Sequence, residues 1–137
     1  MRGFGVWCVG FFFFLVIDLV FISQVMGPLY ANHYPNLLRQ VNDKIQLNAW
    51  AALACYTLMV VGLWYFCGQL PATCSWVKVF FQGFLLGVLF YGVFDLTNLA
   101  ILSGWSWWIS AWEILWGGVI CSATYAVMFA MWHRWWV

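Results

Sequence analysis

The sequence predicts an all-α fold: an integral membrane bundle of four transmembrane helices, with a short amphipathic segment in its first loop. Three observations predict it. Of 137 residues, 66% are hydrophobic and only 7% charged, with a mean hydropathy of +0.91. A soluble domain is roughly one quarter charged, so this inventory cannot build a surface for water. Four apolar runs are each about 20 residues long, enough to cross a hydrocarbon core. Period-two alternation of apolar and polar residues is absent, which leaves helices rather than a closed barrel as the spanning element. At this length the chain reads as a single transmembrane domain, residues 1–137.

The first run covers residues 4–26 and is broken only by Asp18 and the Ser23–Gln24 pair. Its length, its internal acid and the lack of a small-x-small cleavage site favour a retained span over a signal peptide. Gly27–Pro28 is expected to end it, because proline disfavours helix at the residue before it. Residues 29–46 form the polar part of the chain. There Leu37, Leu38, Val41 and Ile45 recur at helical spacing, opposite Arg39, Asn42, Asp43 and Gln46, and Pro35 suits a helix start. Two readings are open: a short helix lying in the interface, or an irregular loop. The second span is read at 47–67, the third at 79–102 and the fourth at 107–132, with turns at Gly68–Pro71 and Ser103–Gly104.

Tryptophans bracket the fourth run: Trp105, Trp107 and Trp108 at one end, Trp132, Trp135 and Trp136 at the other. Indole rings prefer the headgroup level, so they read as anchoring belts. Trp112 and Trp116 follow Trp108 on one helical stripe. Four spans put both termini on one side. That side, with the second loop, carries Arg2, Lys78 and Arg134, against Arg39 and Lys44 opposite, a count that favours cytoplasmic termini.

A net charge of +1 gives no footprint for nucleic acid. Of five cysteines, Cys67 and Cys74 flank a loop and could pair in an oxidising compartment, but nothing else suggests a disulfide framework. No Cys/His set has zinc spacing, no glycine loop would cradle a phosphate, and His33 and His133 flank opposite membrane faces. A metal is therefore not expected, and no cofactor is indicated.

Chemistry enters with the acids. Three of four, Asp18, Asp95 and Glu113, fall inside apolar runs. An acid at mid-helix depth costs roughly 2.5–3.5 kcal/mol on insertion scales and is a functional candidate by default. Counted from the nearest helix ends at about 1.5 Å per residue, the three lie roughly 12, 10 and 8 Å deep, all toward the first and third loops. Asn48 enters from the second helix at that face, and Asn98 follows Asp95 by one turn. Tyr91 precedes Asp95 by four residues and shares its face. The expected arrangement is a polar cavity opening toward the first loop, with His33, Arg39 and Lys44 as lid or counter-charges. With no lysine or arginine at that depth, at least one acid should carry a proton or hold a cation. The plainer alternative is that Asp95, Thr97 and Asn98 are inter-helix hydrogen-bonding groups, which fix geometry at modest energy.

Gly83 and Gly87 form a small-xxx-small pair on the third helix, and Gly117, Cys121 and Thr124 a comparable stripe on the fourth. Close packing of these two helices is expected, with a homodimer seam as the alternative.

Phe94-Asp-Leu-Thr-Asn-Leu-Ala-Ile-Leu-Ser-Gly-Trp105, followed by Glu113-Ile-Leu-Trp-Gly117, resembles the signature of a family of small four-helix membrane proteins, the domain-of-unknown-function family numbered 2177. Asp18 with the aromatic Phe21 is similar to that family's first-helix acid, and Tyr30 to an aromatic after the first helix. Phe94, Glu113 and Phe21 stand where the family usually has tyrosine, aspartate and tryptophan. The resemblance implies the four-helix fold and the acid positions, and it brings no activity. The candidate ligand-binding set is Asp18, Asn48, Tyr91, Asp95, Asn98, Glu113 and Trp116.

Three functions remain open on the sequence. The first is binding or transport of a proton, a cation or an amphiphilic ligand, where a transport pathway would call for a homo-oligomer. The second is an accessory subunit of a larger membrane complex, which suits a chain that is 23% aromatic. The third is an intramembrane enzyme acting on a lipid or isoprenoid, with Asp95 and Glu113 as acid and base. The lipid bilayer is a partner in every case.

Overall fold

Each spanning segment satisfies its own backbone hydrogen bonds, as hydrocarbon requires. The computed structural model describes residues 2–42 and 44–133. Asp43, Arg134, Trp135 and Trp136 lie outside the described residues, as do the side chains of Arg2 and Lys44. The elements are α1 (Arg2–Phe21), a π-helical turn (Ile22–Met26), α2 (Gly27–His33), the two-residue strands β1 (Gln40–Val41) and β2 (Lys44–Ile45), α3 (Ala49–Gly68), α4 (Trp76–Ile101) and α5 (Trp107–His133). Four helical segments are long and apolar enough to cross a membrane: Gly3–His33, Ala49–Gly68, Trp76–Ile101 and Trp107–His133.

Gly27–Pro28 does not end the first helix. Met26 and Gly27 keep right-handed helical dihedrals, and the Gly27 N–H donates to the Ile22 carbonyl five residues back, in the π register. Pro28 then falls in the first turn of α2, at the junction with the π turn, a position that suits its fixed φ. The wider π turn also relieves the conflict a proline ring makes with the carbonyl four residues back. Helix therefore continues to His33 and carries Tyr30 and Tyr34 beyond the acids.

Of the two readings of the first loop, the irregular one holds. Residues 34–38 turn, and β1 pairs antiparallel with β2 in the register Gln40 to Ile45 and Val41 to Lys44. Asn42 sits in the hairpin turn at φ +52°, a left-handed conformation that asparagine tolerates and a continuing helix does not.

α5 is the central helix. Its apolar window is 61% buried within the bundle, against 22–28% for the other spans, and it packs on α1, α3 and α4. Around it Val6, Phe14, Val60, Leu63, Tyr125 and Met128 form the dry core. The tightest contact is with α4. A methyl group added at Gly87 would meet the Gly117 carbonyl oxygen at 2.0 Å, and one at Gly83 would lie 2.7 Å from Ser122 Cα. Ser122 Oγ donates across the seam to the Phe80 carbonyl at 2.9 Å. The small-residue stripes thus let α4 and α5 approach within one chain. Cys67 and Cys74 are free thiols, the first buried against the Tyr125 carbonyl at 3.7 Å.

The tryptophans do not all serve as belts. Trp107 and Trp108 are exposed at the start of α5, and Trp50 joins them at the same end of the bundle. Trp105 packs inward with Tyr34, and Trp132 packs against Trp64.

Overpacking at the seam gives a measurable contrast. Gly87→Ala should destabilise the detergent-solubilised protein by about 1–3 kcal/mol, since backbone opposes the added methyl. Gly92→Ala, whose added Cβ meets nothing within 4 Å, should be nearly neutral. Thermal unfolding followed by circular dichroism compares them, and equal melting points would contradict this packing.

Candidate functional site

All four spans meet at one carboxylate. Asp18 on α1 is 3% exposed, and its Oδ2 accepts a hydrogen bond from the Tyr56 hydroxyl of α3 at 2.8 Å. Its Oδ1 accepts from the Tyr91 hydroxyl of α4 at 3.1 Å and from the Trp116 indole N–H of α5 at 2.7 Å. Local spacing builds the surrounding walls. Phe21, three residues on, stacks on Trp116 with centroids 3.9 Å apart and planes 9° from parallel. Phe14, four residues back, meets Tyr56 edge-on at 5.7 Å. Three neutral donors thus satisfy both oxygens of Asp18.

The second centre lies about one helical turn nearer the first-loop face, since Asp95 follows Tyr91 by four residues and Glu113 precedes Trp116 by three. Here Asp95 is 0% exposed and Glu113 is buried beside it. The Tyr30 hydroxyl donates to Glu113 Oε2 at 2.5 Å, an anchor made available because the first helix runs past Pro28. Asp95 differs. Ser110 and Trp105 flank it, but both of its carboxyl oxygens are buried and neither makes a hydrogen bond among the described residues. The Trp105 indole N–H instead donates to Ser110 Oγ at 3.1 Å.

An aromatic roof closes this centre toward the loops. Tyr34 and Trp105 stack with centroids 4.5 Å apart and planes 6° from parallel. The Tyr34 hydroxyl accepts from the Ser106 backbone N–H at 2.8 Å, tying the end of the first helix to the start of α5. Tyr30 lies 5.5 Å from Tyr34 and 6.0 Å from Trp105, and Met26 and Ile109 are buried in the same cluster. The roof is aromatic rather than basic: His33 is exposed with its ring on the Leu29 carbonyl, and Arg39 is exposed.

The acids expected to share one cavity therefore form two centres. Asp18, Tyr91 and Trp116 belong to the first, Asp95 and Glu113 to the second. Asn48 joins neither: it is exposed and its Oδ1 caps α3 by accepting from the Ala51 N–H at 3.2 Å. Asn98 is half-buried, and no hydrogen bond joins its side chain to either acid among the described residues. Its backbone carbonyl accepts from Leu102 at the end of α4. Tyr30, Tyr34, Tyr56, Trp105 and Ser110 complete the two centres and were not singled out from the sequence as site residues. A tyrosine inside an apolar run carries a hydroxyl that needs a partner when buried, and that signal would have found Tyr56.

Removing the Asp18 carboxylate should cost far more than neutralising it. Asp18→Ala leaves three buried donors unpaired, on the order of 3 kcal/mol at about 1 kcal/mol each, whereas Asp18→Asn keeps one oxygen acceptor and should lose roughly half. Melting temperature together with Trp116 fluorescence reports both changes. Equal loss for the two variants would show that the donors do not depend on this acceptor.

The family described as "Predicted membrane protein (DUF2177)" matches residues 4–130. No curated protein and no solved structure matches the chain. The match takes in both acidic centres, the α4–α5 seam and all but the ends of the bundle, so the chain belongs to the DUF2177 family of integral membrane proteins.

Proposed function

We propose that this membrane protein binds a proton at the Asp95–Glu113 pair. One observation carries the reading: Asp95 has both carboxyl oxygens buried and unpartnered while a second carboxyl stands beside it. Two carboxylates can only accept hydrogen bonds, so side by side they leave each other unsatisfied and repel. A single shared proton turns one of them into a donor and converts the contact into an O–H···O bond. Among the described residues no basic side chain offers an alternative, since Arg39 is exposed in the first loop and Lys78 is exposed in the first turn of α4. Tyr30, bonded to Glu113 and only half-buried, supplies the link from the pair toward the first-loop face.

Asp18 then has a separate role. Its three donors suit the ionised form, so it holds the helices together while the pair one turn away exchanges its proton. The charge count that favours cytoplasmic termini puts the pair in the leaflet away from the cytoplasm. A small cation held between the two carboxylates would satisfy the same oxygens, and the same experiment separates it from a proton.

Infrared difference spectroscopy on the purified protein tests the reading. At neutral pH a carbonyl band of a protonated carboxylic acid should be present, and it should vanish or shift in Asp95→Asn and in Glu113→Gln but persist in Asp18→Asn. Its absence from the wild type at neutral pH would remove proton binding and leave the cation. Tyr30→Phe should keep the band but shift its frequency, because Glu113 loses its hydroxyl donor.

A further inference from the structure

On the opposite side of the bundle, α3 and α4 barely touch, although a short loop joins them. Between the end of α3 and the first turns of α4 lies an open cleft of about 370 Å³. We propose that this cleft is a binding site for one anionic glycerophospholipid. It is independent of the acidic centres, which lie toward the other face.

The cleft is layered as such a lipid is layered. Lys78, exposed in the first turn of α4, supplies a cation at headgroup level. Gln82 stands one turn deeper, about 9 Å from the helix start, where lipid ester groups meet the hydrocarbon. Its Oε1 accepts from the Tyr125 hydroxyl at 3.4 Å, but its amide N–H groups have no hydrogen-bond partner among the described residues. Amide donors at that depth are costly unless an acceptor meets them, and water becomes scarce there. Ester carbonyl and phosphate oxygens of a lipid are acceptors at the right height. Gln69 lines the mouth of the cleft from the end of α3. Below the amide, Phe66, Leu85 and Leu86 offer apolar walls to an acyl chain. The volume falls within the usual range for small-molecule sites, and Lys78, one turn before the cleft-lining Gln82 on the same helix face, is the kind of basic residue that holds anionic headgroups.

Native mass spectrometry of the detergent-purified full chain, titrated with phosphatidylglycerol, tests the assignment. The wild type should retain one phosphatidylglycerol saturably, and retain phosphatidylcholine several-fold less. Gln82→Leu should weaken retention about tenfold, the equivalent of one lost hydrogen bond. Leu85→Trp fills the cleft from its lipid-facing wall and should abolish the single-lipid adduct while far-UV circular dichroism stays unchanged. If Gln82→Leu does not fold, Leu85→Trp alone decides. Wild-type retention in a folded Leu85→Trp, or unsaturable binding that ignores headgroup charge, overturns the proposal.

Discussion

The bundle depends on how one buried carboxyl group is satisfied. Asp18 could have been neutralised by a lysine or arginine, but none lies at its depth. The solution is distributed: one hydroxyl from α3, one hydroxyl from α4 and one indole N–H from α5 converge on two oxygens. Helices in a bilayer gain little from hydrophobic association, because lipid tails are as apolar as their side chains. Directional contacts therefore set which faces meet. The α4–α5 seam fixes a distance through its glycines, and the Asp18 nest fixes the rotation of every span about its own axis.

The same functional group, placed one turn away, meets opposite circumstances. Asp18 has donors for both oxygens; Asp95 has none among the described residues and stands beside another acid. Ser110 stands close to Asp95, and its oxygen accepts from Trp105, which belongs to the roof. One centre is closed chemically, the other sterically. That difference, rather than the number of acids, is what sets the two carboxyl groups apart.

Much of this was legible in the chain. The four apolar runs mark the spans, and the acids inside them mark where polar contacts must form. Glycine spacing on the last two helices announces their close approach. Depth is readable only where the helix end is known: the first helix runs past Met26 to His33, so Asp18 lies deeper than counted and a turn of helix divides it from Asp95. Asn48 entered the candidate set by depth alone, and its position just before a helix, where a side-chain oxygen is wanted, was the stronger signal. Trp105 and Trp132 looked like interface anchors because composition shows where tryptophans fall along a helix and not which way they face. The first loop failed differently: helical spacing of Leu37, Leu38, Val41 and Ile45 is a pattern of four positions, too few to outweigh the turn at Asn42.

The π turn at Ile22–Met26 does more than admit a proline. A π turn holds one residue beyond what an α turn would, and each residue of an α-helix rotates the next by about 100°. Everything downstream is thereby phased anew: Tyr30 meets Glu113 only because that extra residue has been absorbed upstream. In a straight α-helix of the same composition the hydroxyl would point about a quarter-turn away. The first helix thus carries two angular frames in one rod, the upstream one set by Asp18 and the downstream one by Tyr30, and the residue count between them works as a vernier that aligns both at once.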